Sequence, residues 1–204
     1  DELVAPGVPP APGAVTESNG LMLAGAASSL GATATLAAPV ADAPAAIAEA
    51  LLTVQADLVL LLAGTSRGRD DHAAAVLSEL GVVTTHGVAA RPGHPVVLAR
   101  IGTTAVIGVP GYPLSAACTF QRFALPLLAR LTGRAVPARL RCVLAADVTA
   151  RPGAETTVPV RLVRTPDGHV RAVPLPRRAA ATRGLATADA LLVMPSGTLR
   201  LGAG

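Results

Sequence analysis

The sequence predicts an α/β fold, with a doubly wound, mostly parallel sheet over residues 1–134 followed by a small all-β barrel domain over residues 135–204. Strand-like and helix-like segments alternate along the first part, which is typical of βαβ units. In the second part, apolar residues recur with a period of two between Pro-Gly and Asp-Gly turns, which favours short antiparallel strands. Aromatic residues make up only 1% of the chain, so Ala, Val and Leu must fill the core.

Each element of the first part follows from a local pattern. Helix-forming periodicity and breaking glycines predict helices over residues 21–30, 42–55, 72–80 and 116–131. Continuous apolar runs predict strands over residues 57–63, 82–85, 96–100 and 105–109. In the second part, two-residue alternation predicts strands over residues 140–148, 156–164, 169–173 and 191–194.

The charge is uneven, at −2 over residues 1–134 and +6 over residues 135–204, and every basic residue is Arg. The basic part contains no aromatic residue, and its arginines alternate with apolar residues, so we expect a small anionic ligand rather than nucleic acid.

The two cysteines form no CxxC motif, which argues against a disulfide framework or a zinc site. No apolar run is long enough for a membrane span, and no signal peptide opens this end, so we expect a cytoplasmic protein without a membrane partner.

Two loops are placed where parallel sheets bind ligands, just after a strand and before a helix. The 64–71 loop reads GTSRGRDD and the 110–115 loop reads PGYPLS. In the first loop, Gly64 and Gly68 allow close approach to a phosphate, while Thr65 and Ser66 offer hydroxyl donors. The same loop is also compatible with an ordinary turn in which Asp71 only caps the next helix.

Three carboxylates, Glu2, Asp42 and Asp71, stand at turns where segments meet the predicted sheet edge. Together they could hold Mg²⁺ against a phosphorylated ligand, although Asp42 is equally a good helix cap. In the 91–95 turn, which reads RPGHP, Arg91 could clamp a phosphate, and His94 could donate a hydrogen bond or only fill space.

These segments, taken in order, resemble the motifs of one family, the molybdopterin molybdotransferases, which include bacterial MoeA and the gephyrin E domain. The similar segments cover nearly the whole chain and are DELVAPG (1–7), ESN (17–19), GTSRGRDD (64–71), HGVAARPGHP (86–95), GVPGYPLSA (108–116) and ATADALLVMP (186–195). Within them, Ala63, Tyr112, Arg91 and His94 depart from the family's usual Gly, Asn and two Lys.

The resemblance implies a molybdopterin-binding α/β domain whose first strand would precede residue 1, followed by a β-barrel domain. It implies an enzyme that uses Mg²⁺ and transfers molybdate to adenylylated molybdopterin, releasing AMP. Glu2, Asp42 and Asp71 match the family's catalytic and metal-binding carboxylates. The predicted substrate-binding residues are Gly64, Thr65, Ser66, Gly68, Arg91, His94, Pro110, Gly111, Pro113 and Ser115.

The family's site is completed by a neighbouring subunit, so the resemblance also implies a homodimer, and we expect this part alone to turn over poorly. Two other functions stay open: a molybdopterin adenylyltransferase built on the same α/β fold, and a non-catalytic molybdopterin-binding module. The residues do not distinguish molybdenum from tungsten.

Overall fold

The computed structural model describes residues 3–62, 72–166, 168–177 and 182–204. Within these ranges, no helix combines the length and apolar character needed to cross a membrane. The helices and strands, in chain order, are β1 (Leu3–Val4), β2 (Val15–Thr16), α1 (Asn19–Ser29), α2 (Pro44–Thr53), β3 (Leu58–Leu62), α3 (His72–Leu80), β4 (Val82–His86), β5 (Ala90–Arg91), β6 (Val97–Ile101), β7 (Thr104–Val109), α4 (Pro113–Thr119), a π-helical turn (Phe120–Ala124), α5 (Leu125–Thr132), β8 (Val143–Leu144), β9 (Val148–Thr149), β10 (Glu155–Arg164), β11 (Val170–Pro174), α6 (Thr182–Ala186), β12 (Ala190–Met194) and β13 (Arg200–Leu201).

The central sheet of the first part has the strand order β3-β7-β6-β4. β3 and β7 are parallel, whereas β6 is antiparallel to both β7 and β4. The α/β prediction is therefore confirmed, but the described strands form a mixed sheet rather than a mostly parallel one. Only Gly102 and Thr103 join β6 to β7, and so short a connection can form only an antiparallel hairpin.

Helices cover both faces of this sheet, as a doubly wound arrangement requires. On one face, α1 and the helices after residue 113 pack on Ile107 and Val109 of β7. On the other face, α2 and α3 pack on Val106 of the same strand and on β6. Val106 and Ile107 of β7 thus point into opposite clusters, which is why the strand is apolar from Ala105 onward.

The long helix predicted after the 110–115 loop is confirmed in extent but not in regularity. A π-helical turn interrupts it between α4 and α5, where the N–H of Leu125 donates to the carbonyl of Phe120. Pro126 follows at once and has no N–H with which to continue an α-helical ladder. The helix ends as predicted at Gly133, which has a φ of 68°.

The start of α2 differs from the capping alternative considered for Asp42. The residue at the N-cap is Ala43, and no side chain makes a capping hydrogen bond there. Pro44 occupies the first turn, where its missing N–H costs nothing. Asp42 is therefore not the helix cap, and its side chain is exposed.

The second part is built around the ten-residue strand β10, which lies between β11 and β12 with β8 beyond β11. A separate two-stranded sheet pairs β9 with β13. Two features differ from an all-β unit made only of residues 135–204. A short helix, α6, precedes β12, and β5, from the first part of the chain, pairs in parallel with the start of β10.

Residues 134–142 have no regular secondary structure and connect α5 to β8. The division at residues 134 and 135 stays a prediction, as does closure of the second part into a barrel. The pairing of β5 with β10 shows that the two parts share one sheet and meet beside the 91–95 turn.

Candidate functional site

Three segments meet at one edge of the central sheet, where β3 and β7 both end. Leu62 and Val109, the last residues of these strands, are register partners. Val97, the first residue of β6, lies opposite Gly108 on one side and His86 on the other. The 110–115 loop and the segment 87–96 are therefore neighbours at this edge, as the sequence predicted for the 110–115 loop.

The start of α1 reaches the same edge through a side-chain hydrogen bond. The Asn19 amide donates from Nδ2 to the Gly111 carbonyl oxygen at 2.6 Å, joining residues 92 positions apart. The Asn19 Oδ1 atom is buried and, among the described residues, has no hydrogen-bond donor. In the sequence, Asn19 stands out only as the last residue of the ESN segment, and it is not among the predicted site residues.

The 91–95 turn packs against α4. Gly93 has a φ of 97°, and a Cβ there would lie 2.9 Å from Thr119 Oγ1 and 3.5 Å from the Ser115 carbonyl oxygen. Only glycine combines this conformation with so close a contact. The turn leaves Arg91 and His94 exposed, so both side chains are available to a ligand.

The predicted substrate-binding residues of the 110–115 loop lie at the edge in different environments. Pro110 is buried and directly follows β7, Gly111 is exposed, and Pro113 begins α4. Ser115 is only 6% exposed, so it supports the helix start more than it offers a hydroxyl to solvent. Tyr112, which replaces an amide of the family motif, is 61% exposed.

The remaining predicted site residues lie outside the described residues. They are Glu2, Gly64, Thr65, Ser66, Gly68 and Asp71. The convergence of Glu2, Asp42 and Asp71 on one metal ion therefore stays a prediction. In the described ranges, no group of three His, Cys, Asp or Glu side chains is placed to hold a metal ion.

A cleft of about 620 Å³ lies beside this edge, between α1 and α4. Its wall is mainly apolar, with Met22, Phe120 and Leu191 among the larger side chains, and Asn19 and Pro113 also line it. The cleft therefore adjoins the 110–115 loop and could cover the flat faces of a bound ring system.

A polar cluster connects the π-helical turn after α4 to β10 on the inner side of this region. The Arg122 guanidinium forms an ion pair with Glu155 and donates from Nη2 to Thr157 Oγ1 at 3.3 Å. Burial raises the pKa of the neighbouring Cys118 thiol to about 12, although the Arg122 charge acts in the opposite direction. Cys118 is 2% exposed and serves as packing, as the sequence indicated.

We expect only one of the two cysteines to react in the native protein. Cys142 is exposed, whereas Cys118 is buried with its thiol protonated at neutral pH. A thiol titration at pH 8 should give one fast equivalent without denaturant and two with it. Because the folded pKa lies above the ordinary 9.0, stability should fall as the pH rises above about 9. Fast reaction of both thiols in the folded protein would contradict this assignment.

Family models match almost the whole chain. Residues 1–130 match the family described as "Probable molybdopterin binding domain", and residues 141–204 match the "MoeA C-terminal region (domain IV)". The molybdopterin biosynthesis MoeA protein of Pyrococcus horikoshii has a similar structure, with a TM-score of 0.83 and 30% identity over 100% of this chain and 50% of that chain. A molybdenum cofactor biosynthesis protein of Pyrococcus furiosus shares the fold, with a TM-score of 0.71, 24% identity, and coverage of 92% and 61%.

Curated relatives agree with the family models. Molybdopterin molybdenumtransferase 2 of Mycobacterium tuberculosis is 33% identical over 165 residues, which cover 74% of this chain and 40% of that protein. Molybdopterin molybdenumtransferase of Nostoc sp. is 34% identical over 141 residues, which cover 66% and 32%. The chain thus spans about a third to two fifths of the length of these relatives.

The fold and the sheet-edge loops define a protein of the molybdopterin-binding α/β class. The match to both consecutive family models is more specific than that class, because it includes the MoeA C-terminal region. The chain belongs to the MoeA family. The relatives from Mycobacterium tuberculosis and Nostoc sp. are named molybdopterin molybdenumtransferases.

Proposed function

We propose that this chain is the pterin-binding part of an enzyme of molybdenum cofactor biosynthesis that inserts molybdate into adenylylated molybdopterin and releases AMP. The observation that carries the proposal is the meeting of the 110–115 loop, the 91–95 turn and the start of α1 at one sheet edge. All three segments match motifs of the family, and they surround a position suited to an anionic ligand.

The described residues can bind and orient such a ligand. The exposed Arg91 guanidinium supplies positive charge, and a planar guanidinium suits bidentate contact with phosphate. At the start of α4, the first helical bond runs from the Ala116 N–H to the Tyr112 carbonyl, so the N–H groups of Leu114 and Ser115 precede the helical ladder. The buried Asn19 Oδ1 is an acceptor that an N–H group of a pterin ring could satisfy.

A magnesium ion fits the chemistry of the one predicted ligand that the structure describes. The Asp42 carboxylate is exposed, and no described residue donates a hydrogen bond to it. Carboxylate oxygens are the ligands that Mg²⁺ prefers, and Asp42, Glu2 and Asp71 are the residues that would hold it. When bound, the ion would neutralise phosphate charge and polarise the bond to the adenylate.

The chain's own contribution is positioning. Arg91 and the loop N–H groups would fix the phosphate, the apolar cleft would cover the ring, and the dithiolene would face molybdate at the open end. The whole protein is proposed to act as a homodimer in the cytoplasm.

One assay separates this proposal from the two alternatives. The protein as the cell makes it receives adenylylated molybdopterin, molybdate and Mg²⁺, and released AMP and metallated cofactor are both measured. AMP release together with metal insertion supports the molybdotransferase. ATP consumption with formation of adenylylated cofactor would identify an adenylyltransferase, and tight binding without turnover would identify a binding module. Replacing molybdate by tungstate in the same assay determines the metal preference.

Replacing Asn19 by aspartate should weaken pterin binding by about tenfold. The change keeps the side-chain shape but removes the N–H that bonds Gly111, and it places a negative charge beside an anionic ligand. Binding of molybdopterin measured by calorimetry would show the effect. Ser18→Ala is the matched control, because Ser18 lines the same cleft and makes no capping hydrogen bond. Equal affinities for Asn19→Asp and Ser18→Ala would remove Asn19 from the site.

A further inference from the structure

We propose that Arg122 and Glu155 form a positioning pair, through which the C-terminal sheet sets the geometry of the pterin-binding edge. The inference rests on the proposed function and adds a role for the second part of the chain. Neither residue touches the predicted ligand position, so each is a positioning residue rather than a catalytic one.

One end of β10 holds two site segments at once. Glu155 begins this strand, and its N–H donates to the Ala89 carbonyl at 2.9 Å, while its backbone pairs with Ala90 of β5. The Glu155 carboxylate meanwhile forms an ion pair with Arg122, in the π-helical turn after α4. The 91–95 turn and the helix that follows the 110–115 loop are thus both attached to Glu155.

The two attached segments also contact each other. Thr119 is fully buried, and it lies one turn before Arg122, against Gly93. A shift of the helix along its axis would therefore push on the 91–95 turn. β10, the 91–95 turn and the helix therefore each contact the other two, and the Arg122–Glu155 ion pair is the contact between β10 and the helix.

The energetics of the pair favour a geometric role over a stabilising one. The Arg122 side chain is 21% exposed and that of Glu155 is 35% exposed, so both charges have lost much of their hydration. The Arg122 Nη1 atom is buried and has no partner among the described residues. A partly buried ion pair with an unsatisfied donor gives little net stability compared with apolar packing, but it fixes one arrangement by direction and charge.

The matched comparison is the exposed ion pair between Asp147 and Arg200, which connects β13 to the residues just before β9. The hydrogen bond from the Ala203 N–H and, to a smaller extent, the Arg200 guanidinium lower the pKa of Asp147 below its ordinary value. This carboxylate is therefore also ionised and paired. Among the described residues, the side-chain hydrogen bonds and ion pairs of Asp147 and Arg200 join them to each other and to the Ala203 N–H, and none of them reaches the 91–95 turn or α4. Replacing Asp147 by asparagine therefore removes a carboxylate–arginine pair that has no bond to the pterin-binding edge.

The experiment compares Glu155→Gln with Asp147→Asn in the protein as the cell makes it. For Glu155→Gln we expect kcat/KM for adenylylated molybdopterin to fall roughly 10- to 100-fold, mainly through KM, because the anion-binding segments are misplaced. Amide hydrogen exchange at residues 88–90 should accelerate as well, since these residues precede the 91–95 turn, bond to Glu155 through the Ala89 carbonyl and bond to the turn through the Val88 N–H and the His94 carbonyl. Asp147→Asn should change neither quantity. Arg122→Lys keeps a positive charge facing Glu155, so its KM should stay much closer to that of the parent protein than the KM of Glu155→Gln does.

Three outcomes would overturn the proposal: similar KM values for Glu155→Gln and Asp147→Asn, exchange at residues 88–90 that is unchanged in Glu155→Gln, or Arg122→Lys as impaired as Glu155→Gln. If the parent protein shows no molybdate insertion, the proposed function fails separately. In that case, the exchange rates alone decide whether the pair positions the turn.

Discussion

Replacing Asp71 by asparagine is expected to lower the rate of molybdate insertion by about 100-fold or more, with the melting temperature nearly unchanged. In the sequence, Asp71 is the last residue of the segment GTSRGRDD and directly precedes His72, where α3 begins. By family resemblance we propose that it is one of the three carboxylates that would hold Mg²⁺, and asparagine would supply a neutral oxygen where the ion favours a negative one. AMP release and metal insertion, measured against Mg²⁺ concentration, would show the loss and a higher Mg²⁺ requirement.

Asparagine is chosen because it separates the two roles considered for this position. It caps helices about as well as aspartate, so a residue that only capped α3 would tolerate the change in both rate and stability. Glu79→Gln, near the other end of α3 and exposed, is the control for loss of one negative charge. An Asp71→Asn variant that unfolds while Glu79→Gln does not would mean that Asp71 acts mainly on the fold.

The largest effect on stability is expected for Gly81→Ala, at about 3 kcal/mol of destabilisation. Gly81 follows α3, and a Cβ there would lie 2.1 Å from the Arg100 carbonyl oxygen and 3.1 Å from Ile101 Cγ1. The first of these atoms belongs to the backbone of β6, so it cannot turn away as a side chain could. Thermal and urea unfolding would measure the loss, which should lower the melting temperature by roughly 10 °C.

Gly25→Ala is the matched substitution at a glycine with free space. Gly25 lies exposed within α1, and a Cβ there would meet no atom within 4 Å. Alanine should therefore stabilise the protein by up to about 1 kcal/mol, through better helix propensity. If both substitutions gave similar small changes, the close packing of Gly81 against β6 would be wrong.

Elements with strong local signals could be predicted from the sequence. The predicted helix over residues 72–80 coincides with α3, and the apolar run predicted as a strand over residues 57–63 contains β3. In both cases the determinants, an apolar period and a breaking glycine, are adjacent in the chain. Whether neighbouring strands pair in parallel or antiparallel was harder to predict. The hairpin at Gly102 makes β6 antiparallel to β7, although the alternation of strands and helices favours parallel strands.

Contacts between distant residues account for most of what the sequence could not predict. The Asn19–Gly111 hydrogen bond spans 92 positions, and no local pattern specifies it. The strand β5 has only two residues, which is too short for any periodicity to be detected. Its partner Glu155 is not among the predicted site residues, because nothing in the sequence places it near Arg122. The edge at which the 110–115 loop lies could be predicted, because the loop directly follows the carboxyl end of a strand and such ends meet at one edge of the sheet.

The pairing of β5 with β10 limits how the protein can be dissected. Residues 134–142 look like a natural cutting point, but a fragment beginning there would lack the two residues that complete the edge of its main sheet. The exposed ladder at Glu155 and Thr156 would then offer free backbone groups to a neighbouring molecule. The two parts of the chain are therefore not interchangeable modules, and a chimaera that joins them from different relatives must also preserve the 87–96 segment.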